Sequence, residues 1–182
     1  SGKTISLKYI TVLCAEKKID KLPVFISLTN LANSTNDLFQ FIVGQIELCG
    51  IANADNFAQI NLENGNFVVL FDGFDEVLEE DGKRERVKRE ILKFTEKYLN
   101  NKFIISCRNA ASNYQFEKFS YFEITDFSDD QARLYINNWF SKKRITANEL
   151  IEELDKPFHR NIKELTKTPL LLNLLCIVFE ET

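Results

Sequence analysis

"FVVLFDGFDEV" (Phe67–Val77) is the stretch whose reading decides the fold. Five apolar residues, Phe67 to Phe71, run unbroken and then meet Asp72, Gly73, Phe74, Asp75 and Glu76. Such a run predicts a parallel strand covered on both faces. A carboxylate buried there without a partner is costly, so the acids need cations, hydrogen-bond donors or water. Ligands of open parallel sheets gather at the carboxyl ends of the strands. Gly73 lets the chain turn away sharply. A Mg²⁺ ion held by Asp72 and several waters reconciles the charge with its apolar approach. The plainer alternative is that these acids cap the next helix and lie in solvent.

The chain opens on Ser1-Gly2-Lys3-Thr4, followed at once by an amphipathic segment with apolar residues at Ile5, Tyr9, Ile10, Leu13 and Cys14. Ser-Gly-Lys-Thr is the last half of the phosphate-loop pattern G-x-x-x-x-G-K-[ST]. Gly2 lets backbone N–H groups come close to phosphate oxygens, and the helix amino end adds partial positive charge. Lys3 neutralises phosphate, and Thr4 offers a hydroxyl to the metal. Four residues are a weak signal alone. Their placement before a helix, with an acidic strand end further on, sharpens it.

Outward from these two motifs, "LPVFISL" (Leu22–Leu28) and "KFIISC" (Lys102–Cys107) predict buried strands, and "YFEIT" (Tyr121–Thr125) a shorter one. A helix is expected over "STNDLFQFIVGQIELCG", with Ser34 and Asp37 as a capping box and Cys49 on its apolar face. A second covers Ala54–Glu63, with Gly65 just past its end, and a charged helix runs to about Leu99. After residue 126 the strand signals stop. Helices are expected from Ser128, with Gln131 completing a capping box, and from Thr146, paired likewise with Glu149. Further helical pieces follow Pro157 and Pro169. The expected class is α/β, a parallel sheet sandwiched by helices over residues 1–126, followed by a small all-α domain over 127–182.

Composition narrows the function. The net charge of −4 argues against a broadly basic nucleic-acid-binding face. Cys14, Cys49, Cys107 and Cys176 form no C-x-x-C pair and lie among apolar residues, which predicts buried, reduced thiols in the cytoplasm. The longest apolar run, Pro169–Phe179, is too short to cross a bilayer. His159 is the single histidine and has no companion at metal-ligand spacing, so a zinc site is not expected. Trp139 shares helical spacing with Tyr135, Ile136 and Phe140 and is assigned to the core of the helical domain. With no Met and an abrupt opening inside a phosphate loop, the chain is read as an internal piece of a longer protein.

The pairing of "GKT" with "VVLFDGFDE" resembles the NACHT family of signal-transduction NTPases, relatives of the AAA+ ATPases within the STAND class. "FIISCRN" resembles that family's next strand, ending in a polar residue and an Arg. "ITDFSDDQARLYINNWF" and "LTKTPLLLNLLC" resemble its helical domain. The resemblance implies the strand order 5-1-4-3-2, with the first strand before residue 1. It implies ATP or ADP with Mg²⁺, bound by Ser1, Gly2, Lys3 and Thr4, with Pro169 packed on the adenine and Thr4 and Asp72 at the metal. Asp75 or Glu76 would act on the attacking water, and Arg108 would sense the γ-phosphate or touch a neighbouring acid. For Arg108 an ordinary surface ion pair is the simpler alternative.

The implied function is a nucleotide-operated switch with slow hydrolysis, acting by self-association of the full-length protein after an unknown trigger. The implied setting is cytoplasmic signalling, including innate immunity or antiphage defence in a bacterium. Two alternatives stay open: a continuously cycling AAA+-like ATPase working on nucleic acid or protein, and a non-catalytic assembly module.

Overall fold

The computed structural model describes residues 2–108 and 116–181. Two compact units are distinguished, one spanning Lys3–Tyr121 and the other comprising Phe122–Thr182 together with the first two residues. In the larger unit, helix α1 (Lys3–Ala15) leads to strand β1 (Leu22–Ser27), then to helices α2 (Leu28–Asn33), α3 (Leu38–Leu48) and α4 (Ala54–Glu63). Strand β2 (Phe67–Asp72), a 3-10 turn (Phe74–Glu76), helix α5 (Lys83–Lys97) and strand β3 (Lys102–Ile105) follow. The three strands are parallel in the order β1-β2-β3. That is the order the resemblance implies for its second, third and fourth strands.

β2 is central because it can be apolar on both faces. Phe67, Val69 and Phe71 join Val24, Ile26 and residues of α2 to α5 in the main core. Val68 and Leu70 point the other way, into a smaller cluster with Leu7 and Cys14 of α1. The period of two thus serves two cores at once, and the strand reads as a continuous apolar run.

Where the chain enters and leaves these strands, polar side chains close the backbone. Asn101 is buried, 5% exposed. Its Oδ1 accepts from Phe67 N–H at 3.0 Å, and its Nδ2 donates to the carbonyls of Leu62 at 2.7 Å and Tyr98 at 3.0 Å. One side chain thereby ties the end of α4, the start of β2 and the end of α5. Gly65 makes the turn before β2 at φ +71°, and a Cβ there would lie 2.6 Å from the Asn100 carbonyl oxygen.

Several expected elements are corrected. Strand β1 stops at Ser27, whose hydroxyl accepts from Asn30 N–H and starts α2, a helix absent from the sequence reading. The N-cap of α3 is Asp37, accepting from Gln40 N–H at 2.8 Å, whereas Ser34 ends α2. The Ser34–Asp37 capping box therefore does not form. Cys49 is exposed and Cys107 half-buried, so only Cys14 and Cys176 fit the expectation of buried thiols. Residues 121–125 form no strand. Phe122 is 93% exposed and Tyr121 49%, and a strand needs a ladder partner that the described residues do not supply there.

The smaller unit holds helices α6 (Asp129–Trp139), α7 (Arg144–Asp155), α8 (Arg160–Leu165) and α9 (Pro169–Glu181) around Ala132, Ile136, Phe140, Leu150, Leu172 and Cys176. The Ser128–Gln131 capping box is present in both directions. Thr146 instead lies inside α7, which begins two residues earlier at Arg144. Trp139 is at the rim, 38% exposed, donating to Glu180 at 3.3 Å. Its Nε1–H finds an acceptor there that an apolar core would not offer.

Two predictions follow from this packing. Asn101→Ala leaves the buried Phe67 N–H without its acceptor and removes one of the bonds to each of the Leu62 and Tyr98 carbonyls, which keep their backbone donors Gly65 and Asn101. It is expected to cost about 1–3 kcal/mol, measured by urea denaturation followed by circular dichroism. In the smaller unit, Lys163 and then Arg133 hold the Asp155 carboxyl below its usual range. A depressed native pKa gives stability that is present above the unfolded value of about 3.9 and is lost as pH falls through the native value. Asp155→Asn should remove that acid step from a series of thermal melts at decreasing pH. The step is small because these charges are largely exposed.

Candidate functional site at the carboxyl end of the central strand

β2 delivers Asp72 to the end of the sheet, opposite Ser27 of β1. The next residue, Gly73, is buried in the left-handed region at φ +77°, and the chain folds back into a 3-10 turn. Two apolar anchors hold that turn. Phe74 and Val77 are fully buried, and Phe74 meets the Phe116 ring edge-on at a centroid distance of 5.0 Å. Anchoring residues 74 and 77 leaves the intervening acids outward. The Asp75 side chain is 19% exposed and that of Glu76 55%.

Thr4, in the first turn of α1, donates its hydroxyl to Asp72, with Oγ1 2.9 Å from Oδ2 and 3.1 Å from Oδ1. Ser106 follows Ile105, the residue of β3 paired with Phe71. This register sets Ser106 beside Asp72, where its hydroxyl donates to Oδ1 at 2.6 Å. The same hydroxyl accepts from Gly73 N–H at 2.9 Å, and the Ser106 carbonyl accepts from Phe74 N–H at 3.1 Å. Arg108 reaches the other two acids. Its backbone N–H donates to Asp75 Oδ1 at 2.9 Å, its Nε lies 3.6 Å from Asp75 Oδ2, and its Nη2 lies 3.3 Å from Glu76 Oε1.

Of the residues singled out from sequence, the structure therefore joins Thr4 to Asp72, and Arg108 to Asp75 and Glu76. Lys3 is the first residue of α1, half-buried, immediately before Thr4. Gly2 precedes it, and a Cβ built there meets no atom within 4 Å. Ser1 lies outside the described residues. Pro169 opens α9 in the other unit. Ser106 is the residue that sequence reading passed over, beyond noting a polar strand end before Arg108. Its signal was a hydroxyl closing the apolar run "FII". Knowing its partner required the register of β3 on β2.

The electrostatics divide the acids into two kinds. Among the described residues, the side-chain partners of Asp72 are two neutral hydroxyls, so its charge is hydrogen-bonded but not balanced by an ion pair. Asp75 and Glu76 share the guanidinium of Arg108. The donor set of Asp72 and Thr4 fits a small hard cation such as Mg²⁺, which takes one or two protein oxygens and keeps several waters.

A family model described as NACHT domain matches residues 1–143. No curated protein and no solved structure matches the chain. Among the described residues no helix is long and apolar enough to cross a membrane. With the phosphate-loop ending, the acidic strand end, the parallel sheet and a family match over most of its length, this chain belongs to the NACHT family of P-loop NTPases and carries that family's nucleotide-binding module.

Proposed function

We propose that this module is a switch that binds an adenine nucleotide with Mg²⁺ and hydrolyses ATP slowly, the bound nucleotide controlling self-association of the full-length protein. The observation that carries the reading is the hydrogen bond from the Thr4 hydroxyl to the Asp72 carboxylate, shared between its two oxygens. It joins the amino end of α1, where anions are favoured, to the carboxyl end of β2, where the acids gather.

On this reading, Lys3 neutralises the β and γ phosphates, while Gly2 and Ser1 complete the backbone cradle. Local packing does not demand the missing side chain at Gly2, since the space for a Cβ is open. A phosphate needing close approach to the backbone gives that glycine a use. Thr4 and Asp72 hold Mg²⁺, which supplies charge neutralisation across the phosphates when bound. Asp75 or Glu76 orients the attacking water and accepts its proton, and Arg108 exchanges its carboxylate partners for the γ-phosphate. Such transfer needs mainly positioning and charge, and these residues supply both. Pro169 packs on the adenine. Residues 1–126 form the nucleotide-binding core and 127–182 the helical domain, and rotation between them on nucleotide exchange exposes the assembling surface. The proposed setting is cytoplasmic signal transduction of the STAND type, with innate immunity or antiphage defence as the output and an unidentified ligand as trigger.

A switch of this kind keeps its nucleotide. Full-length protein purified without added nucleotide should release ADP on denaturation, detected by ion-pair chromatography, and Lys3→Ala should release none. Denatured wild-type protein that yields no nucleotide removes the switch and leaves the non-catalytic assembly module. Rapid turnover stimulated by DNA or an unfolded protein points instead to the cycling ATPase.

The two acids of the turn are separable by kinetics. Asp75→Asn and Glu76→Gln should both retain ADP, and the one that orients water should lower single-turnover hydrolysis by about 10²–10⁴-fold. Equal, small losses in both variants would contradict a role for either acid in the hydrolytic step.

A further inference from the structure

The least accounted-for polar group at the site is the buried hydroxyl of Ser106, 7% exposed. A serine hydroxyl has one proton and two lone pairs. Gly73 N–H donates to one lone pair at 2.9 Å, and the proton is directed to Asp72 Oδ1 at 2.6 Å. The result is a directed chain from the Gly73 amide through the hydroxyl to the carboxylate. Each bond polarises the next, and the last is charge-assisted.

An aspartate carboxylate rotates broadly about its last torsion. We infer that Ser106 is a positioning residue that locks the Asp72 carboxylate in the orientation magnesium requires and sets that orientation together with the turn bearing Asp75 and Glu76. The inference rests on the nucleotide-and-magnesium reading above. With Oδ1 engaged by Ser106, Oδ2 is held toward Thr4, whose hydroxyl is 2.9 Å away. Because the same hydroxyl receives the Gly73 amide, the carboxylate cannot swing without disturbing the residue that starts the turn. The Phe74 amide, bonded to the Ser106 backbone carbonyl at 3.1 Å, does not depend on the side chain. This separates the role of the hydroxyl from that of the strand end as a whole.

The test uses the full-length protein and a fluorescent N-methylanthraniloyl-ADP titrated with MgCl₂, with parallel titrations in EDTA. Ser106→Ala should raise the magnesium concentration for half-maximal binding by about 10-fold or more, the scale on which groups orienting metal ligands act. Binding in EDTA should be unchanged, and Ser106→Thr, which keeps the hydroxyl, should return the magnesium dependence toward wild type. Hydrogen exchange should show the Gly73 amide losing protection in Ser106→Ala while the Phe74 amide keeps it. Should the alanine variant not fold, Ser106→Cys, with a weaker donor of similar size, must shift the magnesium dependence in the same direction. An unchanged magnesium requirement overturns the inference and leaves the nucleotide reading standing. So does an equal loss with and without magnesium, or a threonine variant as impaired as alanine. Wild-type protein that binds no nucleotide overturns the reading itself and this inference with it.

Discussion

The constraint on which the structure depends is a carboxylate at the end of a strand sealed on both faces. Nothing in β2 before Asp72 can solvate a charge, because Phe67 to Phe71 are all buried. The solution comes from the flanking elements. α1 brings the Thr4 hydroxyl from one side of the sheet, and β3, in register with β2, brings Ser106 from the neighbouring strand. The parallel register and the placement of α1 are therefore coupled to the chemistry of the strand end. Moving either would leave a partly buried anion with fewer donors, a loss of about 1–3 kcal/mol for each charge-assisted bond.

A second polar device supports the sheet from the main-core side. On α5, Arg86 donates through Nη2 to the carbonyls of Leu31, Ala32 and Ser34, at 3.1, 2.9 and 3.2 Å. These are the carbonyls at the negative end of α2, where a cation is favoured. One turn on, Glu90 lies 3.7 Å from Arg86. Burial pushes the Glu90 carboxyl up, Arg86 opposes that rise, and Asp37 at the start of α3 adds to it. Arg86 thereby closes a short helix that has little intrinsic stability of its own. Without that closure, the end of α2, where the chain turns toward α3, would lose its anchor.

How much of this was legible in the sequence depended on whether the signal was local. β2, the limits of α4 and the capping box of α6 each follow from periodicity or a pair of residues three apart. α2 did not, because its six residues are too few to show a helical period, and Ser27 reads equally as a strand end. Ser34 and Asp37 share a capping spacing by coincidence, since the first ends one helix and the second begins another. The run at 121–125 has strand-like residues but no neighbour among the described ones, and strand formation is decided by the neighbour. At the site, Lys3, Thr4, Asp72, Asp75, Glu76 and Arg108 were marked by motif. Ser106 was not, because its meaning lies in a hydrogen bond across strands 34 residues apart in sequence.

The arrangement of charge explains why three acids so close in sequence are not equivalent. Asp72 is stabilised by neutral hydroxyls, which lower its desolvation cost but leave its negative potential intact for a cation. Asp75 and Glu76 are instead screened by Arg108, whose planar guanidinium spans both while its backbone N–H fixes Asp75. The Arg108 side chain and Glu76 are exposed, and an ion pair open to solvent is worth little. The short, part-buried hydrogen bond from Ser106 to Asp72 is not of that kind. Within a few ångströms the chain has therefore placed one carboxylate held by hydroxyls and a pair of carboxylates that share a guanidinium. That difference follows from which neighbouring strand residue is a serine and which, two positions later, is an arginine.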